Sequence, residues 1–400
     1  MRRLIRCTCL ALLCLPQFAS AQQSPTAGAI TIGRIDSLWS PTLKEHRRVW
    51  IYTPPSYRDT LHALQRYPVL YLLDGDAHFH SVTGLLQILG TGVNGTYVIP
   101  EMIVVAIPNT DRTRDLTPTH TDLALDGKPN AAFKTSGGGP NFLQFMKAEL
   151  IPFVDSSYRT VPYRVLVGHS FGGIAAIQAL YIMPETFNAY VAIDPSLWWD
   201  NRHLLRQAQE YFKTAKLSQR ALFVGQANTL TPGDTTDNAH FSSIIRFNSL
   251  LERYHGDGLR YGYRYYPNDS HGSVPLTAEY DALRFIFADY NLDVLRALDE
   301  PEYIGQHFAR LTNLLGYNAQ PSDRLLDQLG HFALQRDTTK AIAILELDAR
   351  LYPTSAKAQD GLGDAWLAKG DRAKAASYFQ KSIALKPGNE YAARMLKRTQ

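Results

Sequence analysis

The hydrophobic positions of this 400-residue chain change their rhythm near Asn291. From Ile30 to about Tyr290, short apolar runs alternate with longer amphipathic stretches. The runs Arg48–Tyr52, Tyr67–Leu73, Met102–Ile107, Val165–Val167, Ala189–Ile193, Ala221–Val224 and Tyr261–Tyr266 read as strands. Strands separated by helix-length amphipathic segments predict an α/β unit with a mostly parallel sheet. In such a sheet the carboxyl ends of the strands line the ligand crevice, so residues just after each run are the first to inspect for chemistry.

Beyond Asn291 only helical patterns remain. Shifting the chain against itself by 34 residues pairs Ala341 with Ala375, Leu345 with Phe379 and Pro353 with Pro387, and sets Leu329 opposite Gly363. A period of this length is the signature of tetratricopeptide-like helix pairs. The unit from Ala356 to Gly388 is well formed, whereas the one from Ser322 to Thr354 is degenerate. The expected organisation is an α/β domain over residues 30–290, a helical linker over 291–321 and a small all-α helical-repeat region over 322–400. Two units are fewer than a free-standing stack needs. The repeats are therefore expected to lean on the α/β domain or to self-associate, with a peptide-binding groove as the alternative.

The segment from Asn109 to Asn141 is long, polar and rich in turn formers, including Thr-Pro-Thr-His and Ser-Gly-Gly-Gly-Pro. It reads as a surface loop, either at the mouth of the site or as an insertion without function.

Composition changes the picture chiefly at the amino terminus. Met1-Arg2-Arg3-Leu4-Ile5-Arg6 is basic, an apolar run of about ten residues follows, and Ala19-Ser20-Ala21 offers a small-x-small cleavage site. This predicts a signal peptide over residues 1–21 and a periplasmic or secreted protein. The run is short of the roughly 20 residues a membrane span needs. All three cysteines, Cys7, Cys9 and Cys14, fall inside the leader, so thiol catalysis and cysteine zinc sites are excluded from the mature chain. Removing the leader takes three arginines and no acid, which leaves 38 basic against 37 acidic residues. That balance gives no reason to expect a nucleic acid or an acidic membrane as partner.

The chemistry concentrates at Gly168-His169-Ser170-Phe171-Gly172, where the apolar run Val165–Val167 meets the helical pattern of Ile174 to Leu180. A G-x-S-x-G sequence between a strand and a helix is a nucleophile elbow, with Ser170 as the nucleophile. Serine needs an adjacent base, and the base an orienting acid. The chain order of this arrangement places the histidine after the last strand. His271, in the loop after Tyr261–Tyr266, fits; His203, His240 and His255 lie in helix-like or pre-strand segments, and His169 inside the elbow reads as structural. The acid should follow Ala221–Val224, yet Gly225-Gln226-Ala227-Asn228 carries no carboxylate. Asp234 is favoured, with Asp237, Asp194 or a serine–histidine pair lacking an acid as alternatives. One oxyanion donor follows from the elbow, the backbone N–H of Phe171. The second is expected from the Asp74-Gly75-Asp76 turn, at Asp76 or Gly75. Two carboxylates in one turn without clustered histidines do not indicate a metal, and no cofactor is expected.

Four blocks together resemble one family: Tyr67 to Asp76 (Tyr-Pro-Val-Leu-Tyr-Leu-Leu-Asp-Gly-Asp), Val167 to Gly173, Ile193 to Trp199 (Ile-Asp-Pro-Ser-Leu-Trp-Trp) and Asp269-Ser270-His271. The chain is similar to the putative esterase family of α/β-hydrolases, which includes esterase D, feruloyl esterases and siderophore esterases. The resemblance implies an α/β-hydrolase fold, Ser170 as nucleophile, His271 as base and Phe171 as oxyanion donor. It also implies that Trp198 and Trp199 lie near the substrate, and that some relatives work with a serine–histidine pair alone. The expected activity is an exported serine esterase acting on small-molecule or glycan esters, with phenolic, catecholate or acetylated-glycan esters favoured. Alternatives are a peptidase or acyltransferase on the same scaffold, or an interaction protein whose repeats bind a partner and whose hydrolase domain is degenerate.

Overall fold

A computed structural model describes residues 28–91, 97–230 and 238–400. The leader, Asp234 and Asp237 lie outside the described residues. Residues 33–400 form one compact unit.

Among the described residues eight strands form one sheet: β1 (Arg34–Ser40), β2 (Glu45–Tyr52), β3 (Tyr67–Leu72), β4 (Ile103–Ala106), β5 (Thr160–His169), β6 (Ala189–Ile193), β7 (Lys216–Ala227) and β8 (Asp257–Tyr266). Their spatial order is β1-β2-β4-β3-β5-β6-β7-β8. The first two pairings, β1 with β2 and β2 with β4, are antiparallel, and all the others are parallel. Every residue of β3, β4 and β6 is buried. Strands covered on both faces read as continuous apolar runs, which is why they stand out in the sequence.

Helices cover both faces. Between the strands run α1 (Gly75–Thr91), α2 (Arg112–Leu116), α3 (Gly139–Phe145), α4 (Ile151–Ser157), α5 (Phe171–Ile182), α6 (Trp199–Thr214) and α7 (Ala239–Arg253), with α8 (Val274–Ile286) after β8. One core joins Tyr71, Leu166 and Leu222 of the sheet to Phe142, Ile174 and Phe247 of α3, α5 and α7. The other joins Leu70, Val165 and Phe223, on the opposite face, to Val82 of α1 and Ala278 of α8.

Seven further helices complete the chain: α9 (Val294–Asp299), α10 (Glu302–Leu315), α11 (Asp323–Leu334), α12 (Thr338–Leu351), α13 (Ala356–Ala368), α14 (Arg372–Leu385) and α15 (Glu390–Lys397). They extend the second core, since Ile304, Phe308 and Leu311 of α10 and Leu326 of α11 belong to the same buried cluster as Val82 and Ala278. The helix pairs pack small against large: a Cβ on Gly330 would lie 2.4 Å from the Leu345 side chain, and one on Gly363 would lie 2.5 Å from the Phe379 ring. The partner of Gly363 in the preceding pair is thus Gly330, one position beyond the Leu329 that a strict 34-residue shift selects.

The α/β part of the chain meets these helices through the segment between β2 and β3. The Ala63 N–H donates to Asp323 Oδ2 at 2.5 Å, and His62 lies between Asp59, at 2.8 Å, and Asp327, at 3.7 Å. The start of α11 is therefore held against residues 62 and 63 of the same chain.

Candidate active site

Ser170 sits between the end of β5 and the start of α5 with φ 61° and ψ −112°. A backbone of this kind at a non-glycine residue costs about 1–3 kcal/mol and persists only where surrounding bonds enforce it. Here Ser170 N–H donates to the Ile193 carbonyl at 2.9 Å, and Ser196 N–H donates to the Ser170 carbonyl at 3.1 Å. The flanking glycines are steric requirements of the turn. A Cβ on Gly168 would fall 2.1 Å from the Gly172 carbonyl oxygen, and one on Gly173 would lie 3.0 Å from Pro195.

The next strand in space supplies a carboxylate. Asp194 follows β6 directly and is fully buried. Its Oδ2 accepts from His271 Nδ1 at 2.5 Å and from His240 Nε2 at 2.9 Å, and its Oδ1 accepts from the Ala227 N–H at 2.9 Å. Burial by itself would raise its pKa; the donors from His240, His271 and Ala227 outweigh that and hold the carboxyl well below its usual range. His271 lies in the loop between β8 and α8 and is part-exposed. Its ring centroid is 4.5 Å from that of His169. Burial, with the neighbouring His271 and His78, lowers the His169 pKa to about 4, so this ring is neutral at ordinary pH.

Asp194 is thus the carboxylate joined to His271, a place for which the sequence favoured Asp234. β7 ends at Ala227 without a carboxylate, and β6 lies between β5 and β7, so a side chain at its end reaches across the crevice. Ser170 Oγ pairs with Ser196 Oγ at 3.2 Å. Hydrogen bonds between nucleophile and base are often long or unformed before substrate binds.

Two helix starts meet beside the serine. Phe171 and Asp76 occupy the first turns of α5 and α1, where backbone N–H groups lack a partner within the helix. The two turns are in contact, since a Cβ on Gly172 would lie 3.2 Å from Asp74 Oδ2. Gly75 is not free to donate, because its N–H is bonded to the Ile107 carbonyl at 3.0 Å. Arg112 grips Asp74 with two bonds, at 2.6 and 3.0 Å, and a third N–H reaches the His169 carbonyl at 3.3 Å. Asn109 binds both Asp74 and Asp76. The carboxylates of this turn are thereby engaged by cationic and amide donors. Asp194, His240 and His271 bring three potential ligand atoms within 4.8 Å of one another, and they form the only such group among the described residues. Their facing nitrogens donate to the carboxylate, which leaves those nitrogens no lone pair for an ion.

Residues 40–263 match the protein-family model described as Putative esterase. The chain belongs to this family. It is 27% identical over 277 residues to the ferri-bacillibactin esterase BesA of Bacillus subtilis, covering 65% of this chain and 92% of that protein. A siderophore enterobactin esterase of Emericella nidulans is 33% identical over 166 residues, 38% of this chain and 54% of that protein. Among solved structures, an IroE-like serine hydrolase from Shewanella oneidensis superposes with a TM-score of 0.72 at 34% identity, covering 80% of this chain and 99% of that one. The protein is accordingly an α/β-hydrolase and a carboxylic ester hydrolase.

In this esterase the segment after Asn109 is ordered around the elbow. Phe133 stacks edge-on against Phe171 and Trp199, with centroids 5.9 and 4.9 Å away, and Trp199 Nε1 donates to the Thr119 carbonyl at 3.1 Å. Trp199 is 2% exposed and packs beneath the surface, whereas Trp198 is part-exposed beside Phe171. His240, the second residue of α7, was set aside in the sequence because of its helical setting. Arg112 carried no motif at all. Its one available signal was its position in a polar segment following a strand end, where site residues gather. Among the described residues no helix is long and apolar enough to cross a membrane.

Proposed function

We propose that the protein is an exported serine esterase that opens ester bonds of catecholate siderophores through an acyl-enzyme on Ser170. The observation that carries the mechanism is a strained Ser170 next to His169, whose ring lies 4.5 Å from that of His271, and a His271 Nδ1 held by a buried, ionised Asp194. With Nδ1–H fixed on Asp194, the free Nε2 of His271 is the basic nitrogen. Rotation of Ser170 Oγ away from Ser196 would hand its proton to that nitrogen as the oxygen attacks the ester carbonyl. The resulting imidazolium is stabilised by Asp194 and returns the proton to the leaving alkoxide; a water then releases the acyl group by the same sequence. Negative charge on the carbonyl oxygen is received by the N–H groups of Phe171 and Asp76, which are fixed in advance by their helices.

Siderophore esters are favoured as substrates by the similarity to the Bacillus and Emericella siderophore esterases. The part-exposed Trp198, backed by Phe171 and Trp199, offers an aromatic wall suited to catechol rings. In this reading the carboxy-terminal helices are a packing appendage that completes the second core. The leader carries export and lies outside the described residues.

The test combines active-site labelling with a substrate panel. Wild-type protein is expected to react with a fluorophosphonate probe and to cleave catecholate siderophore esters faster than p-nitrophenyl acetate, with both activities lost in Ser170→Ala. Absence of labelling and of ester cleavage in the wild type would overturn the proposal. Labelling that persists in Ser170→Ala would move the nucleophile elsewhere.

A further inference from the structure

The carboxylate behind His271 serves two imidazoles. Asp194 Oδ2 accepts from His271 Nδ1 at 2.5 Å and from His240 Nε2 at 2.9 Å, so a single oxygen is shared by a histidine from the β8–α8 loop and one from α7. The two rings stand nearly perpendicular, at 88°, with centroids 5.2 Å apart. His240 is 7% exposed and is set by the amino terminus of its helix, where Asn238 Oδ1 accepts from the His240 and Phe241 N–H groups, each at 3.1 Å. This placement is costly as mere packing, because a polar ring is buried where an apolar one would fill the same space.

We infer that His240 is a positioning residue for the esterase reaction: by donating to the oxygen that orients His271, it fixes the Asp194 carboxylate and moderates how basic His271 becomes. This rests on the serine-esterase reading above. A carboxylate oxygen that accepts two N–H groups presents less negative charge to each than one that accepts a single donor. Without His240, Asp194 Oδ2 belongs to His271 alone, and His271 holds its proton more tightly. The acyl-transfer cycle needs the imidazole neutral at the start and willing to give its proton back, so both limits of basicity matter. The titratable groups facing His271 are Asp194 from the end of β6, His240 from α7 and His169 from the end of β5; His78 and Asp74 stand behind His169.

Two substitutions separate a donor from a space-filler. His240→Phe keeps the ring volume and removes the donor, whereas His240→Gln retains an N–H at the same reach. The His271 imidazole is titrated by NMR in each full-length variant, and kcat and KM are measured across pH. Loss of the donor is expected to raise the His271 titration midpoint by about one pH unit, as a lost competing hydrogen bond would. It is also expected to move the acid limb of kcat/KM by the same amount and to lower kcat about tenfold with KM little changed, since a carboxylate that is no longer fixed misplaces the base. His240→Gln should restore the midpoint and most of the rate. If His271 titrates alike in wild type, His240→Phe and His240→Gln, the inference is overturned and His240 is packing. If the midpoint shifts as stated while the wild type cleaves no ester, the positioning holds and the esterase reading is what fails.

Discussion

Asp194 Oδ2 and His271 Nδ1 lie 2.5 Å apart although 77 residues separate them, and the carboxylate comes from the end of β6. A buried anion at that position locks one tautomer of the histidine and stabilises its protonated form during reaction. Asp194→Asn keeps the shape but offers an amide where the N–H needs an acceptor. The expected result is a fall in kcat of about ten-thousandfold with the fold intact by circular dichroism, the scale seen when a triad acid is neutralised. If Asp194 alone orients His271, Asp234→Asn is expected to leave kcat within about twofold. Steady-state kinetics on one ester, run side by side, decides between the two acids.

The elbow is paid for in stability. Ser170 holds φ 61° and ψ −112°, a region glycine enters without strain. Ser170→Gly removes the proposed nucleophile and the strain together, at the cost of a more flexible unfolded chain. Strain of about 1–3 kcal/mol set against a glycine penalty of about 0.5–1 kcal/mol leaves a net gain. Urea unfolding should therefore show Ser170→Gly to be more stable than the wild type by about 1 kcal/mol, and inactive. Equal or lower stability would mean that the turn stores no strain.

The parallel strands were legible because burial on both faces makes them uniformly apolar, and the elbow was legible because its glycines answer to steric contacts a few ångströms away. β1 was missed for the opposite reason: it is an edge strand whose Ile35 and Trp39 are 61% and 54% exposed, so its pattern carries little burial signal. The sequence favoured Asp234 because chain order points to a carboxylate after β7; lateral strand order, which periodicity does not reveal, is what brings Asp194, at the end of β6, to His271. His240 escaped because a polar residue at a helix start has many ordinary explanations. Asp194 holds it by a contact across 46 residues. In the helix pairs, Gly330 departs by one position from the 34-residue register, a slip that only the contact with Leu345 exposes.

Where the helices meet segment 62–63, two buried carboxyls face the same space. Asp348 is fully buried with neither oxygen bonded, and Asp323 is fully buried with Oδ1 unbonded. Burial, reinforced by the nearby Asp323 and Asp327, raises the Asp348 pKa to about 9. An aspartate in the unfolded chain titrates near 3.9, so between roughly pH 4 and pH 9 the folded state holds a proton that the unfolded state has lost. Stability contributed by this site is therefore greatest below that window and falls as pH rises through it. Asp348→Asn keeps the size and cannot ionise. Its melting temperature is expected to match the wild type near pH 4 and to exceed it by a widening margin towards pH 9, as followed by thermal denaturation. A margin that stays constant with pH would show that Asp348 is ionised in the folded protein.

Arg112 joins the Asp74–Asp76 turn to the elbow. Its guanidinium takes both oxygens of Asp74, reaches the His169 carbonyl, and lies 5.1 Å above the Phe171 ring. One side chain thus braces the turn that holds Asp76 against the elbow that holds Phe171. Lysine carries the same charge but has no planar fork, so Arg112→Lys cannot hold both carboxylate oxygens and the carbonyl together. The N–H groups of Asp76 and Phe171, proposed above as oxyanion donors, would then lose their shared alignment, a loss felt in the transition state more than in substrate binding. Arg112→Lys is expected to lower kcat by about tenfold or more while KM stays within about twofold. Asp74→Asn should produce a similar loss, and the double variant should be no worse than either single one, because both remove the same brace. Full additivity in that double-mutant cycle, or a change confined to KM, would place Arg112 in substrate binding instead.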